Sequence, residues 1–223
     1  MAPSIVQSMS GFSGNNSLNV SFLNPVTAGN MILVWVGLDT TTAQTINLPT
    51  MTGETFVAVA GATEPFVPSA SQLSCFAVNS ANGGQTTVSG SCSNCVSIHL
   101  HMAEISGQGV SPQDAVGAAG SSTSYSVSTS SPTSVGSDLI IAAFMDGTNN
   151  RAWTSGSGYT RMQITNTAFP DSMLSEFGTV SSTGVQTATA SYGATGDVVA
   201  MGIIAISPPG PVFFPIGSRF LYV

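Results

Sequence analysis

Two cysteines and two histidines stand close together near the middle of the chain, in an order that can bind a metal. Cys92 and Cys95 form a C-x-x-C pair, and His99 and His101 follow shortly after them. Cysteine sulfur and histidine nitrogen are ligands that zinc prefers. With Cys75 as a third cysteine, several states are open: a disulfide within the pair, a disulfide to Cys75, free thiols, or a metal site.

The two histidines belong to a strand pattern. Ile98, Leu100 and Met102 alternate with His99 and His101, so the apolar and imidazole side chains lie on opposite faces of the predicted strand. Histidines at positions i and i+2 of one face can chelate a metal. The alternative is that both histidines simply lie on an exposed or interface-facing surface of the strand. We favour the second interpretation and predict no metal and no cofactor.

The loop of residues 146–159 is the best candidate for binding a small ligand. Its Trp153 and Tyr159 offer flat apolar faces on which sugar rings can stack. Its polar side chains can hydrogen-bond sugar hydroxyl groups: Asp146, Asn149, Asn150 and Arg151. The alternative is an ordinary Gly/Asn-rich loop whose Trp153 packs on the edge of the domain.

The chain carries very little charge: 6% of its residues are charged, against roughly 25% in an ordinary domain. It has no lysine and a formal net charge of −7, which exclude a Schiff-base mechanism and disfavour binding to nucleic acid. Its acidic residues are scattered through predicted turns and do not form the pair that glycoside hydrolysis requires. We therefore predict that the protein is not an enzyme.

Two stretches of the chain recur later with the same spacing between matched residues. Residues 17–39 match residues 124–146, and residues 71–87 match residues 172–188. Turn, strand-end and apolar residues recur in step: Pro25 and Pro132, Gly29 and Gly136, Asp39 and Asp146, Leu73 and Leu174, Phe76 and Phe177. The pattern indicates an internal duplication.

Each repeat consists of short apolar or alternating runs between turn residues, without sustained helical periodicity. The halves, 17–107 and 124–207, therefore predict an all-β fold, an antiparallel two-sheet sandwich of jelly-roll type. We favour one sandwich, residues 1–207, over two small sandwiches in tandem.

The repeat also bears on the cysteines. Cys92 and Cys95 align with Gly193 and Gly196 of a predicted hairpin turn. A turn residue is expected there rather than a metal ligand, which favours a disulfide. Closing so short a loop constrains little chain, so the stabilisation should be small.

The stretch VTAGNMILVWV (26–36), followed later by HMAEISG (101–107), resembles a pattern in uncharacterised bacterial surface proteins and phage structural proteins. The resemblance extends over most of residues 17–207. It implies a jelly-roll-like sandwich used for display, attachment or assembly, and it carries over no catalytic residue.

Residues 208–223, here called the arm, follow the second repeat and differ from it in composition. Prolines keep this segment extended and prevent a helix. Docking on the protein's own sandwich and docking on a neighbouring subunit are the alternatives. The apolar side chains of the arm would form an aggregation-prone patch in water: Val212, Phe213, Phe214, Ile216, Phe220, Leu221 and Tyr222.

These features predict a non-enzymatic structural protein that assembles with copies of itself or decorates a capsid or filament shell. The first residues lack the charged and apolar blocks of a secretory signal, so we expect either that a signal was removed upstream of this numbering or that the protein leaves its cell by another route, for example inside a virion. Together with the charge-poor, Ser/Thr-rich composition, this predicts a virion or an extracellular or cell-surface location. No apolar run is long enough to span a membrane. The alternative class is a carbohydrate-binding or adhesive module that binds surface glycans through the loop 146–159.

Overall fold

The computed structural model describes residues 1–63, 71–109, 113–121, 124–133, 136–148, 152–166, 171–192 and 198–210. All regular secondary structure in these residues is β-strand. The strands of the first half are β1 (Ser4–Ser13), β2 (Ser17–Ser21), β3 (Met31–Asp39), β4 (Val57–Thr63), β5 (Ser71–Val78), β6 (Thr87–Ser91) and β7 (Ser97–Ser106). Those of the second half are β8 (Gln113–Ser121), β9 (Ser124–Ser128), β10 (Asp138–Asp146), β11 (Thr154–Ser155), β12 (Thr160–Asn166), β13 (Ser172–Val180), β14 (Thr187–Ser191) and β15 (Val198–Ile206).

The two halves repeat one strand order. The five-stranded sheet of the first half has the order β1-β7-β3-β5-β4. That of the second half, taken from the corresponding end, has the order β8-β15-β10-β13-β12. Strands β2 and β6 form a small sheet in the first half, and β9, β14 and β11 form its counterpart in the second. Neighbouring strands are antiparallel throughout the described residues.

The all-β prediction is confirmed. The expectation of two sheets is wrong, because the described strands form four sheets, which stack in four layers. The five-stranded sheets face each other in the middle, and each small sheet covers the outer face of one of them. Strand β3 is buried from Met31 to Leu38, so both of its faces need an apolar partner. A two-layer sandwich would leave one of these faces in water.

The described residues form three hydrophobic cores, which fill the spaces between the layers. The central core, between the five-stranded sheets, contains Trp35 and Ile141. The outer core of the first half contains Phe76, and that of the second half contains Trp153. In the central core Trp35 lies against Gly202, where a Cβ atom would be 2.5 Å from an indole carbon. The glycine therefore leaves the room that the indole needs between the sheets.

The edges of the five-stranded sheets also meet, with β1 beside β12 and β4 beside β8. At the first of these edges Ser10 Oγ donates a hydrogen bond to Gln163 Oε1 at 3.0 Å. Gln163 Nε2 in turn donates to Ser8 Oγ at 2.9 Å. Side-chain hydrogen bonds therefore join the halves at this edge.

Residues matched by the sequence repeat do not keep the same face of their strands. Leu73 lies in the central core, whereas Leu174 lies in the outer core of the second half. Phe76 lies in an outer core, whereas Phe177 packs against the central one. Because side chains alternate between faces, a slip of one residue reverses the contacts of a strand. The register predicted from the repeat is therefore wrong for β5 and β13, although the strand order recurs.

The cysteines adopt one of the states that the sequence leaves open. Cys92 and Cys95 form a disulfide with their Cα atoms 6.1 Å apart, in the turn between β6 and β7. Cys75 is a free thiol in the central core, where burial raises its pKa. Gly193 and Gly196, the repeat partners of the disulfide cysteines, lie outside the described residues.

Candidate functional site

A network of buried polar side chains joins the two halves between the five-stranded sheets. All of its members have zero exposure except Thr165, which is 9% exposed. They lie on β7 in the first half and on or directly before β12 and β13 in the second half. The buried polar network consists of Ser97, His99, His101, Thr165, Asp171 and Ser175.

Thr165 is the centre of this network, because its hydroxyl contacts both histidines. Thr165 Oγ1 lies 2.6 Å from His99 Nδ1 and 3.0 Å from His101 Nε2. The second nitrogen of His101, Nδ1, lies 2.8 Å from Ser175 Oγ. Two hydroxyls of the second half thereby hold two imidazoles of the first.

The other end of the network is a carboxylate. His99 Nε2 lies 3.2 Å from Asp171 Oδ2, in a contact that is not aligned as a hydrogen bond. Ser97 Oγ donates a hydrogen bond to the same carboxylate oxygen. Asp171 therefore orients both a hydroxyl and an imidazole of β7.

One arrangement of protons satisfies the hydrogen bonds that Thr165 and Ser175 make with the two imidazoles. His99 carries its proton on Nε2, towards Asp171, and accepts on Nδ1 from the Thr165 hydroxyl. That hydroxyl accepts from His101 Nε2–H, and His101 Nδ1 accepts from the Ser175 hydroxyl. Burial, reinforced by His99, lowers the pKa of His101, which agrees with a neutral ring.

The buried polar network contains the residue types of a nucleophilic triad, with the hydroxyl of Thr165 and the carboxylate of Asp171 on the two nitrogens of His99. Ser97, His99 and Asp171 have no exposed surface, so a substrate would reach them only if the sheets separated. What this geometry does is connect the halves at a defined position, since any other register would leave buried polar atoms without partners.

The carboxyl group of Asp39, at the end of β3, is influenced by the charge of Asp171 in this network. Burial, together with the charges of Asp171 and Asp146, raises the pKa of Asp39 to about 6. In the part of the chain that the structure describes, no three His, Cys, Asp or Glu side chains are arranged to hold a metal ion. Asp39 therefore keeps its proton to a higher pH than an ordinary aspartate, because burial and the nearby negative charges disfavour its ionised form.

Trp153 is a core residue. Its side chain is 5% exposed and packs in the outer core of the second half. The indole stands edge-on to Tyr192 at a ring-centre distance of 4.5 Å, and Tyr125 and Phe144 lie at 5.7 and 6.0 Å. Its Nε1–H donates to Ser172 Oγ at 2.9 Å. No ring face is left exposed for a sugar, so the interpretation of Trp153 as a stacking platform does not fit this position.

The other candidate residues of the loop 146–159 either make contacts within the protein or lie outside the described residues. Asp146 is fully buried, and its Oδ1 accepts from the backbone N and the Oγ1 of Thr148 at 2.8 and 2.7 Å. Tyr159 is half-buried and packs against the outer core. Asn149, Asn150 and Arg151 lie outside the described residues. The structure thus does not assemble the predicted sugar site from the described members of this loop.

Glu176, on β13, is a buried carboxyl group that the sequence analysis did not single out. Its side chain has no exposed surface, and its Oε2 accepts from the Gly156 backbone N at 3.0 Å. Burial raises the pKa of Glu176 from its usual 4.5 to about 7, although this hydrogen bond opposes the shift. Burial and the Glu176 charge raise the pKa of Tyr159 to about 12. Glu176 is therefore a carboxyl group that changes its charge near neutral pH.

We expect Glu176→Gln to stabilise the protein at pH 8 and to have no effect at pH 4. A raised pKa gives stability that is complete below the unfolded value of 4.5 and is lost as the pH rises through about 7. Glutamine stays neutral and avoids this loss, which amounts to about 1 to 3 kcal/mol at pH 8. Urea unfolding of both proteins at the two pH values measures it. An equal gain at both pH values would show that the charge of Glu176 is not the cause.

Glu104 shows the opposite balance. Burial opposes its ionisation, but hydrogen bonds to the carboxylate prevail and lower its pKa. Oε1 accepts from Thr27 N at 2.8 Å and Asn30 Nδ2 at 2.6 Å, and Oε2 accepts from Gln7 Nε2 at 2.6 Å. The stretches VTAGN and HMAEISG, distant in the sequence, therefore meet through this carboxylate.

The buried polar network was not predicted from the sequence. The sequence predicted an exposed or interface-facing surface for His99 and His101, and the structure buries both inside the molecule. Thr165 and Asp171 carry no sequence signal, because nothing in their neighbourhood shows that β7 covers them. The arm residues Val212, Phe213, Phe214, Ile216, Phe220, Leu221 and Tyr222 lie outside the described residues.

Comparison with known proteins gives no relative. The chain matches no known protein family, no curated protein and no solved structure. Among the described residues, no helix has the length and apolar character to cross a membrane.

Proposed function

We propose that the protein is a non-enzymatic structural subunit that assembles with copies of itself or decorates a virion or an extracellular filament or surface. The cross-link between Cys92 and Cys95 supports an oxidising location, because disulfides persist outside the cytosol and on virion surfaces. We also propose that the jelly-roll-like halves arose by duplication of one unit. The repeated strand order supports this origin.

The observation that carries the proposal is a cavity beside the four-layer fold, next to the first residues of the arm. It has a volume of about 390 Å³. Gln108 Nε2 donates to Gly29 O across its wall at 2.8 Å. Most of the lining side chains are small: Gly29, Asn79, Ser80, Gln108, Gly109, Pro209 and Gly210. Such a wall leaves room for a large side chain from outside.

The arm supplies side chains of the size and character that would fill this cavity. Phe213, Phe214 and Phe220 belong to a segment that is apolar and contains one arginine as its only charge. Burying a large apolar side chain contributes about 1.5 to 3 kcal/mol. Ordering the arm costs roughly 1 kcal/mol or more per residue. The two terms nearly balance for one arm, so assembly through the cavity of a neighbouring copy needs many subunits acting together.

We expect a protein ending at residue 210 to fold normally but to stay monomeric. This end point keeps Pro209 and Gly210, which line the cavity. In the full chain, Phe214→Asp and Phe220→Asp should weaken assembly steeply, because a carboxylate cannot enter an apolar contact without a partner. Size-exclusion chromatography with light scattering measures assembly, and thermal unfolding of each variant measures the fold.

Leu48→Asp is the matched control, since Leu48 is 53% exposed and distant in sequence from the arm. It should assemble like the unmodified chain. If the shortened protein unfolds, the arm braces its own sandwich. If it assembles as the full chain does, the arm has no role in assembly and the proposal fails.

A further inference from the structure

The outer faces of the two small sheets carry rows of hydroxyl groups at corresponding positions. In the first half Ser21 Oγ and Thr87 Oγ1 lie 2.8 Å apart across β2 and β6. In the second half Ser128 Oγ and Thr187 Oγ1 lie 2.7 Å apart across β9 and β14. The strands alternate, with Leu, Tyr, Val, Ala or Gly towards the core and Ser, Thr or Asn outwards. Both outer surfaces are therefore polar but uncharged.

The first half has a groove next to its hydroxyl row. The groove has a volume of about 290 Å³ and lies between β6 and the neighbouring turn. We call it the hydroxyl groove, and its lining residues are Thr50, Met51, Thr52, Thr87 and Ser89. Four of these side chains carry hydroxyl groups, and the fifth is a methionine that is 5% exposed.

We propose that the hydroxyl groove binds one or two units of a neutral saccharide. Each threonine or serine hydroxyl both donates and accepts, as sugar hydroxyls do, so the two sets of groups can pair in either sense. The lining contains no charged side chain, and a charged ligand would therefore lose its hydration without gaining a partner. The volume lies at the lower end of the range for small-ligand sites, which limits the ligand to a small unit.

The groove is held by bonds that do not depend on a ligand. Thr50 N donates to Ser89 O, and Ser89 N donates to Thr50 O, both at 2.9 Å. The Cys92–Cys95 disulfide closes the chain directly after β6. Glu54, at the end of the same turn, is engaged by the backbone N of Asn82 at 2.8 Å. A site prepared in this way loses little conformational entropy on binding.

The second half supplies a built-in control. Thr187 and Thr189 occupy the positions of Thr87 and Ser89, as the pairing of β9 with β14 and of β2 with β6 shows. There the backbone at Gly156 lies directly against Thr189, so that a Cβ on the glycine would collide with it. The same hydroxyl chemistry is thus present in both halves, and its surroundings differ.

The test uses the full chain and isothermal titration calorimetry with neutral hexasaccharides of glucose in α1-4, β1-3 and β1-4 linkage. A hexamer of galacturonic acid serves as the charged probe. We expect at least one neutral probe to bind and the charged probe not to bind. Thr87→Val with Ser89→Ala should weaken binding roughly tenfold or more, since two hydrogen bonds are lost. Thr187→Val with Thr189→Ala should leave the affinity unchanged.

This inference is independent of assembly, because an arm variant that stays monomeric should bind the probe like the full chain. The proposal is overturned if no neutral hexasaccharide binds, or if the charged hexamer binds as well as the neutral ones. Equal loss of affinity in the two double variants would also overturn it, since the groove would then not be the site. Melting temperatures confirm that each variant is folded.

Discussion

Thr165→Val should lower the free energy of unfolding by about 2 to 6 kcal/mol, although valine has nearly the same shape as threonine. The Thr165 hydroxyl is the partner of His99 Nδ1 at 2.6 Å and of His101 Nε2 at 3.0 Å. Removing it leaves two buried imidazole nitrogens without a partner, and each such group costs about 1 to 3 kcal/mol. The loss of hydrogen bonds, and not a cavity, is the cause of the expected effect.

The matched control is Thr160→Val on the same strand, where the threonine is exposed. Its effect should stay within about 0.5 kcal/mol. Urea unfolding at pH 7.5 compares the two variants with the unmodified protein. Equal stabilities of the Thr165 and Thr160 variants would mean that the buried polar network does not hold the halves together.

Trp153→Ala should lower the free energy of unfolding by about 3 to 5 kcal/mol, which is the usual cost of removing a large buried aromatic side chain. The indole fills the outer core of the second half between Tyr125, Phe144 and Tyr192. Its loss also leaves Ser172 Oγ without the Nε1–H donor at 2.9 Å. The effect should appear as a lower urea midpoint.

Trp153→Phe separates packing from hydrogen bonding. Phenylalanine keeps an aromatic ring in the core but cannot donate to Ser172, so we expect a loss of about 1 to 2 kcal/mol. If Trp153→Ala instead unfolds at the same urea concentration as the unmodified protein, Trp153 is a surface residue. The packing described for Trp153 would then be wrong, and the loop could again be tested as a sugar-binding surface.

The sequence by itself determined the class of the fold and the positions of many of the turns between its strands. Apolar runs such as Met31 to Leu38, with turn residues between them, specify strands, because alternation and strand length are local properties. The cysteines of C-x-x-C stand close in the chain at a turn, so the sequence could narrow their states to a short set that includes the disulfide. Recurrence of these patterns also pointed to two related halves, and the strand order does recur.

Only the tertiary structure decided which surface covers each strand, because that depends on residues far apart in the chain. The face of β7 that carries His99 and His101 looks exposed until Thr165 and Asp171 are brought against it. In the same way, Trp153 became a core residue through contacts with three other aromatic rings. The repeat could not fix these faces, since a slip of a single residue exchanges the inner and outer sides of a strand while leaving its pattern almost unchanged.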